Sequence, residues 1–169
     1  MTIDLSGVNL GYEADDLEIQ GGSDGYTCMK GKYTAELQSG AGVAENSKGK
    51  ILEIPFSDFA TMEGEGYEEG VGGIAGRDVN WTTWLEYDGE ERTQSAVKGL
   101  TSLCRALGIA EDVDGKYKLP ADDLDEVLEM IDGMAGSRVQ VEMRPRKGAK
   151  KDDGTHFMNE RIFQVLPLE

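Results

Sequence analysis

The chain has 169 residues, of which 33 are Asp or Glu and 17 are Lys or Arg, so its formal net charge is −16. This length predicts one domain with a core of its own, and so acidic a surface disfavours non-specific binding to nucleic acid. One His and two widely separated Cys argue against a zinc site and a disulfide framework. No stretch resembles a membrane span or a secretory signal, so we expect a cytoplasmic protein without a membrane partner.

The first 30 residues differ in composition from the rest. They contain six acids and no Lys or Arg before Lys30, and residues 21–25 form a Gly-rich break. We therefore predict a flexible acidic N-terminal arm over residues 1–30 and a single folded domain over residues 31–169. Ile3, Leu5 and Val8 are apolar enough to attach the arm to this domain or to a neighbouring subunit.

Three segments then alternate between apolar and polar residues, as half-buried strands do. They are residues 32–38, 51–60 and 78–87, and a long loop rich in Gly and Glu separates the last two. Pro55 indicates an edge or a bulge in the second strand, because proline cannot donate to a sheet ladder. In the third strand, an inward Val79, Trp81, Leu85 and Tyr87 would leave Trp84 facing outward.

The period then changes. Apolar residues recur every three or four positions over residues 93–107, which predicts an amphipathic helix that ends at Gly108, and a second, acidic helix follows over residues 120–131. Alternating segments resume on both sides of a turn near residue 150. The order predicts a mainly β (α+β) fold: a five-stranded OB-like barrel with a helical insertion between strands three and four.

The turn of this last hairpin is basic. Between Arg138 and Lys151 the acidic chain has six Lys or Arg and one acid, Glu142. The loop between the first two strands also ends in lysines, and in an OB barrel these two loops flank the binding face. Such local cations indicate contacts with phosphate. The predicted phosphate ligands are Lys48, Lys50, Arg144, Arg146, Lys147, Lys150 and Lys151.

Binding of single strands without sequence preference also needs aromatic side chains on which bases stack. Outward positions on the predicted strands assign this role to Trp84 and Phe59, with Phe157 as a further candidate. The alternative for Trp84 is that the N-terminal arm or another subunit covers it. The remaining aromatic residues considered are assigned to the core: Tyr33, Phe56, Trp81 and Phe163.

Several short motifs resemble a known family. They are Gly31-Lys32-Tyr33, the segments 76–79, 100–109 and 136–139, and Val165-Leu166-Pro167, and the helix Leu-Thr-Ser-Leu-Cys-Arg-Ala-Leu-Gly is the most distinctive. Over residues 31–167 the chain resembles small bacteriophage proteins, long catalogued as a domain of unknown function. These proteins are found beside recombination and replication genes and regarded as OB-like single-stranded-DNA-binding proteins.

The resemblance implies single-stranded DNA as the partner, the cytoplasm of an infected bacterium as the location, and no catalytic residue. The chain departs from the family pattern in a longer N-terminal arm and in the acidic loop 63–69.

Other chemistry has little support in the sequence. The segment 70–75 matches a relaxed dinucleotide fingerprint, but a strand rather than a helix follows it. His156 has no identifiable partner, and Cys104 lies on the buried face of the first helix, whereas Cys28 lies in the predicted arm. We therefore expect no cofactor, no bound metal and no enzymatic activity.

These observations predict a non-catalytic accessory of DNA replication or recombination that binds single-stranded DNA. Self-association is expected, because a small footprint gains affinity through multivalency, and the acidic surface is expected to contact replication or recombination proteins. Two alternatives stay open. One is an acidic DNA mimic that inhibits a host DNA-processing enzyme, and the other is a phage structural or assembly protein that engages neighbours through its arm.

Overall fold

The computed structural model describes residues 3–14, 29–62 and 76–168. Cys28, the dinucleotide-like segment 70–75, the acidic loop 63–69 and the side chain of Phe157 lie outside this description. The described elements are β1 Gly31–Leu37, β2 Gly42–Asn46, β3 Gly49–Thr61, β4 Val79–Tyr87, β5 Glu90–Glu91, α1 Thr93–Leu107, β6 Glu111–Val113, β7 Lys116–Lys118, α2 Leu124–Asp132, β8 Arg138–Met143, β9 Arg146–Lys150, β10 His156–Asn159 and β11 Ile162–Leu166.

One antiparallel sheet organises the fold. Its strands lie in the order β11-β8-β1-β3-β4-β5, and β2 pairs with the first half of β3. Because β8 returns to lie beside β1 after β3 and β4 have been added on the other side, β8-β1-β3-β4 has the spatial order of a Greek key. The sheet curls until β11 also contacts β4, which makes a half-barrel. The prediction of a mainly β protein with few helices is confirmed.

The first helix lies across the curled sheet. The apolar face of α1 is buried against β4 and β11, and Gly108 ends the helix in the left-handed conformation, as its sequence predicts. Gly99 allows the close packing, because a Cβ at this position would lie 2.9 Å from the Trp81 ring. In the described residues no helix is both long and apolar enough to cross a bilayer.

A bulge in β3 changes the side that one aromatic ring faces. Thr34 pairs with Ala60 and Glu36 with Ser57, so β3 contains one residue more than β1 over this stretch. Asp58 is at the bulge with φ of 52°, and Arg138 donates to its carboxylate at 2.7 Å. An extra residue reverses the alternation of side chains. The prediction that Phe59 faces outward is therefore wrong: its ring is 1% exposed and lies in the core.

Residues 3–14 are part of the packed domain. Leu5 is buried in the core, and its amide donates to the Asp122 carbonyl at 2.7 Å. The Asn9 side chain is also buried; it accepts from the Leu119 amide at 2.9 Å and donates to the Asp122 carboxylate at 2.8 Å. The prediction of a flexible arm is therefore wrong for residues 3–14, which are attached to their own domain, while residues 15–28 lie outside the described chain.

The start of β3 requires a glycine. Gly49 has φ of 148° and faces Tyr87, and a Cβ at this position would lie 2.1 Å from the Glu86 carbonyl oxygen. We expect Gly49→Ala to lower the free energy of unfolding by about 1–3 kcal/mol, the range for overpacked positions. Urea denaturation would measure the change. Gly42→Ala is the matched control, because a Cβ at Gly42 meets nothing within 4 Å; equal losses in the two variants would contradict the close approach.

Candidate nucleic-acid interface

A cavity of about 330 Å³ lies where β4, the start of α1 and the basic hairpin meet. Its volume is at the lower end of the range for small-ligand sites. The cavity combines two aromatic rings, two guanidinium groups and two hydroxyl side chains. Its lining residues are Thr83, Trp84, Tyr87, Arg92, Ser95 and Arg146.

The aromatic pair depends on a second bulge. Trp84 pairs with Ile51 and Glu86 with Lys50, so Leu85 is an extra residue in β4. Residues three apart would face opposite sides of a regular strand, but the bulge brings Trp84 and Tyr87 into edge-to-face contact, with ring centroids 4.8 Å apart. Trp84 is half-buried and Tyr87 is 37% exposed. The assignment of Tyr87 to the core is wrong, and sequence alternation alone gave no sign of this bulge.

The two cations of the cavity come from different elements. Arg146 is exposed at the start of β9, and Arg92 is the N-cap residue of α1, where its guanidinium lies 2.9 Å from Glu90 in an exposed ion pair. The first turn of α1 contains no acid and its N-terminus has no side-chain cap. The positive end of the helix dipole therefore adds to the positive potential around Ser95. Of these two cations, Arg146 was predicted from the sequence as a phosphate ligand and Arg92 was not.

Beyond Arg146 the predicted hairpin is present. β9 and β10 form a two-stranded ribbon outside the main sheet, on which Lys147 pairs with Met158 and Lys150 with His156. Its turn is closed by a 2.6 Å hydrogen bond from the Lys151 amide to the Thr155 carbonyl. Lys147, Lys150 and Lys151 are exposed, so the ribbon extends the positive charge of the cavity outward.

Lys48 is exposed in the turn between β2 and β3, at the Tyr87 end of the cavity. Its carbonyl accepts from the Asp88 amide at 2.6 Å, and the following residue, Gly49, pairs with Tyr87. The backbone thus places Lys48 beside the strand that carries the aromatic pair, as the sequence analysis expected of the first basic loop.

Lys50 belongs to different surroundings. It pairs across the sheet with Glu45 on one side and Glu86 on the other. It also lines a second cavity, of about 540 Å³, together with four carboxylates, those of Glu45, Asp125, Glu129 and Asp132. The structure therefore does not bring Lys50 to the cavity of Trp84 and Arg146, and carboxylates offset its charge where it lies. Lys50 is therefore not part of the cavity on which the function is proposed.

Arg144 is already engaged within the protein. Its Nε lies 2.7 Å from the Glu142 carboxylate, its Cζ lies 3.6 Å from the centroid of the Phe163 ring, and its side chain is 18% exposed. The prediction of a free, solvent-facing cation is wrong here. Phe163, which the sequence analysis assigned to the core, is only half-buried because β11 has a bulge at this residue.

Arg161 is the residue that sequence reasoning missed beside Arg144. Its guanidinium Cζ lies 5.3 Å from the centroid of the same Phe163 ring. Burial lowers the pKa of Arg161, and the positive charges of Arg146 and Arg144 lower it further. The two-residue spacing of Arg161 and Phe163 was the one sign in the sequence that these side chains share a face. Placing both beside Arg144 also required the register of the hairpin.

The buried thiol does not contribute chemistry to this interface. Burial raises the pKa of Cys104 to about 12, so the thiol stays protonated at neutral pH and lacks the thiolate needed for nucleophilic attack. Its place on the inner face of α1 agrees with a packing role.

Comparison with known proteins identifies no relative. A scan against protein-family models, a search of curated proteins and a search of solved structures each found no match to this chain. The cavity and its surrounding charges are therefore the basis on which a function is proposed.

Proposed function

We propose that this chain is a phage-type single-stranded-DNA-binding protein that acts as a non-catalytic accessory in DNA replication or recombination. The observation that supports it is the single cavity in which the Trp84 and Tyr87 rings meet the guanidinium groups of Arg92 and Arg146. Aromatic rings beside a cationic groove are the two components that binding of single strands requires. A base would stack on Trp84 while the adjoining phosphates contact Arg146 and the hairpin lysines.

We propose in addition that the half-barrel is OB-like, and the strand order supports this assignment. The path β11-β8-β1-β3-β4 orders five strands as 5-4-1-2-3, and the OB-fold is a five-stranded, partly open Greek-key barrel. Both helices lie in the chain between β4 and β8, the third and fourth strands of this path. The loop from the first to the second strand carries Lys48, and the loop from the fourth to the fifth carries the basic ribbon. These two loops border the binding face of OB proteins.

Charge favours single strands over duplexes. The net charge of −16 disfavours contact with a polyanion outside local clusters of cations such as the cavity and the ribbon. A duplex also keeps its bases stacked inside, where the Trp84 ring cannot reach a free base face. A flexible single strand satisfies both conditions, since it can follow a narrow cationic path and turn a base into the cavity.

A small footprint also supports self-association. A few phosphate contacts bind weakly, and linking several copies on one strand raises the overall affinity without any new contact. We propose that the protein acts as a homo-oligomer in the cytoplasm of the infected bacterium, and that its acidic surface contacts basic regions of replication or recombination proteins.

The salt dependence of binding tests the proposal. With three or four phosphates neutralised, the logarithm of affinity for oligo-dT should fall with the logarithm of salt with a slope of about −2 to −3, at roughly −0.7 per contact. Lys147→Gln combined with Lys150→Gln should make this slope shallower by about 1.4, because two contacts at roughly 0.7 each are removed. Fluorescence titrations at several NaCl concentrations would measure the slopes.

The matched control is Lys116→Gln combined with Lys118→Gln. These lysines lie on β7 of another two-stranded hairpin, and their replacement changes the net charge by the same amount. The control should leave the slope unchanged. Equal effects of the two double variants would indicate a general electrostatic attraction, and the absence of binding at low salt would refute the proposal.

A second candidate, an acidic DNA mimic, is favoured by one observation. Asp125, Glu126 and Glu129 are exposed on α2, and the adjoining cavity adds Glu45 and Asp132 to this carboxylate surface. Such a protein would occupy the DNA groove of a host DNA-processing enzyme. Lack of tryptophan quenching by oligo-dT at low salt, together with specific capture of such an enzyme, would favour this candidate. Residues 3–14 pack on their own domain, so the described part of the arm offers nothing in favour of the assembly alternative.

A further inference from the structure

Three arginines lie on one face of the hairpin that runs from β8 to β11. The Arg144 amide donates to the Arg161 carbonyl at 3.0 Å, and two residues further along, in the same antiparallel register, Arg146 pairs with Asn159 in the β9–β10 ribbon. Residues opposite each other in such a ladder, and residues two apart on one strand, present their side chains on the same face. Arg144, Arg146 and Arg161, called here the arginine cluster, therefore project together.

An aromatic ring holds two of these groups close to each other. The bulge in β11 leaves Phe163 unpaired between the Ile162–Met143 and Gln164–Glu142 pairs. The Cζ atoms of Arg144 and Arg161 lie 3.6 Å and 5.3 Å from the centroid of the ring. Attraction between the ring and the cations offsets part of the repulsion between two guanidinium groups that share it.

Carboxylates of the described residues offset only part of the charge of the cluster. Glu142 pairs with Arg144, and the nearby Glu160 is paired with Arg77. The Nε of Arg161 is buried, and within the part of the chain that the structure describes it has no hydrogen-bond partner. A buried donor without an acceptor is costly, and burial and the two neighbouring arginines also lower the pKa of Arg161. An anion bound at the guanidinium groups would relieve the repulsion among the arginines.

We propose that the arginine cluster is a phosphate-binding subsite in which Arg161 and Arg146 hold one phosphate group. Arg146 also lines the cavity of Trp84 and Tyr87, so the subsite continues directly from the base-stacking position. The inference rests on the proposed function for the source of the phosphate, which is the backbone of a bound single strand. Guanidinium groups suit this role because their forked donors match the oxygens of a phosphate.

Arg161→Gln tests the subsite. Binding of fluorescein-labelled oligo-dT should weaken about tenfold, as expected when a hydrogen bond to a charged group is lost, and the salt slope should become shallower by about 0.7. Arg161→Lys keeps the charge without the fork and should restore the slope but only part of the affinity. Arg105→Gln is the control, because Arg105 also lies over an aromatic ring, at 5.2 Å from the Tyr117 centroid, but on α1.

A second measurement needs no DNA. Titration of the full chain with inorganic phosphate should shift the Arg161 Nε–H resonance in an NMR spectrum and leave that of Arg105 unchanged. Oligo-dT with a 5′-hydroxyl and oligo-dT with a 5′-phosphate should show the same loss on Arg161→Gln if the bound group is internal. A loss confined to the 5′-phosphorylated strand would overturn the assignment to the backbone.

The two proposals fail in different ways. If oligo-dT binds and Arg161→Gln changes neither affinity nor slope, the subsite is wrong and single-strand binding stands. If phosphate shifts the Arg161 resonance but no oligonucleotide binds, the subsite stands and the proposed function is wrong. If neither ligand has an effect, both are wrong. A thermal melt establishes that each variant is folded, and Arg161→Lys serves as the test if Arg161→Gln is not.

Discussion

Trp84→Ala is expected to weaken binding of oligo-dT by about 5- to 150-fold, equivalent to the roughly 1–3 kcal/mol that one stacked base contributes. The salt slope should not change, because the substitution removes no charge. Since the variant lacks one of the two tryptophans of the chain, the measurement uses the anisotropy of a labelled oligonucleotide rather than protein fluorescence.

Two further variants test whether the loss of affinity in Trp84→Ala comes from the loss of a stacking ring in the cavity. Trp84→Phe keeps an aromatic face and should recover most of the affinity. Tyr117→Ala removes a ring that lies under Arg105 and outside the cavity, and it should leave the affinity unchanged. Wild-type affinity in Trp84→Ala, or an equal loss in Tyr117→Ala, would show that the cavity is not where bases stack.

Phe59→Ala is expected to lower the free energy of unfolding by about 3–5 kcal/mol, the range for removing a buried aromatic ring. The effect follows from the bulge at Asp58, which turns the ring into the core with 1% exposure. Urea denaturation followed by circular dichroism measures it. The variant that remains folded should bind oligo-dT with wild-type affinity, because the ring is not part of the interface.

The control for Phe59→Ala is Leu10→Ala. Leu10 is 73% exposed, and substitutions at such positions change stability by less than about 0.5 kcal/mol. A Phe59→Ala variant with normal stability and weakened DNA binding would contradict the buried position and support the outward, base-stacking position that the alternation of β3 predicts.

Regular periodicity made much of the fold predictable. Alternation located the strands that became β1, β3 and β4, the three- and four-residue spacing located α1, and the basic turn located the β9–β10 ribbon. These patterns depend on which face of an element is buried. Because the hydrophobic effect favours apolar residues on that face, its spacing can be seen in the sequence. Strand order and the contact between β4 and β11 are long-range properties that no local pattern contains.

The errors in placing the aromatic side chains have one common cause. Each of the bulges at Asp58, Leu85 and Phe163 inserts one residue and thereby reverses the face of the side chains that follow. Phe59 was placed outside and Tyr87 inside because strict alternation was extended through a bulge. A single sequence offers few signs of a bulge, since the residues at these three positions are not glycines.

Charges were misjudged for another reason. The sequence alone suggested that Lys50 and Arg144 are free cations. In the structure, Glu45 and Glu86 pair with Lys50 across the sheet, and Glu142 forms an ion pair with Arg144. Glu142 precedes Arg144 by two residues at the end of β8, so the sequence contained a sign of this pairing. Arg146, in contrast, has no cross-strand acid in its pair with Asn159 and lines the cavity, and its role as a phosphate ligand stays a prediction.

The packing of residues 3–14 on the domain has a consequence for where the folding unit starts. Composition marks a boundary near Lys30, but Leu5 and Asn9 fill space and satisfy backbone groups around Leu119 and Asp122. A fragment cut at that boundary would lose a piece of its own interior and leave the amides of Leu119 and Leu124 without acceptors. Residues 3–14 are thus an integral part of the folded domain, and any shortened version for crystallisation has to retain them.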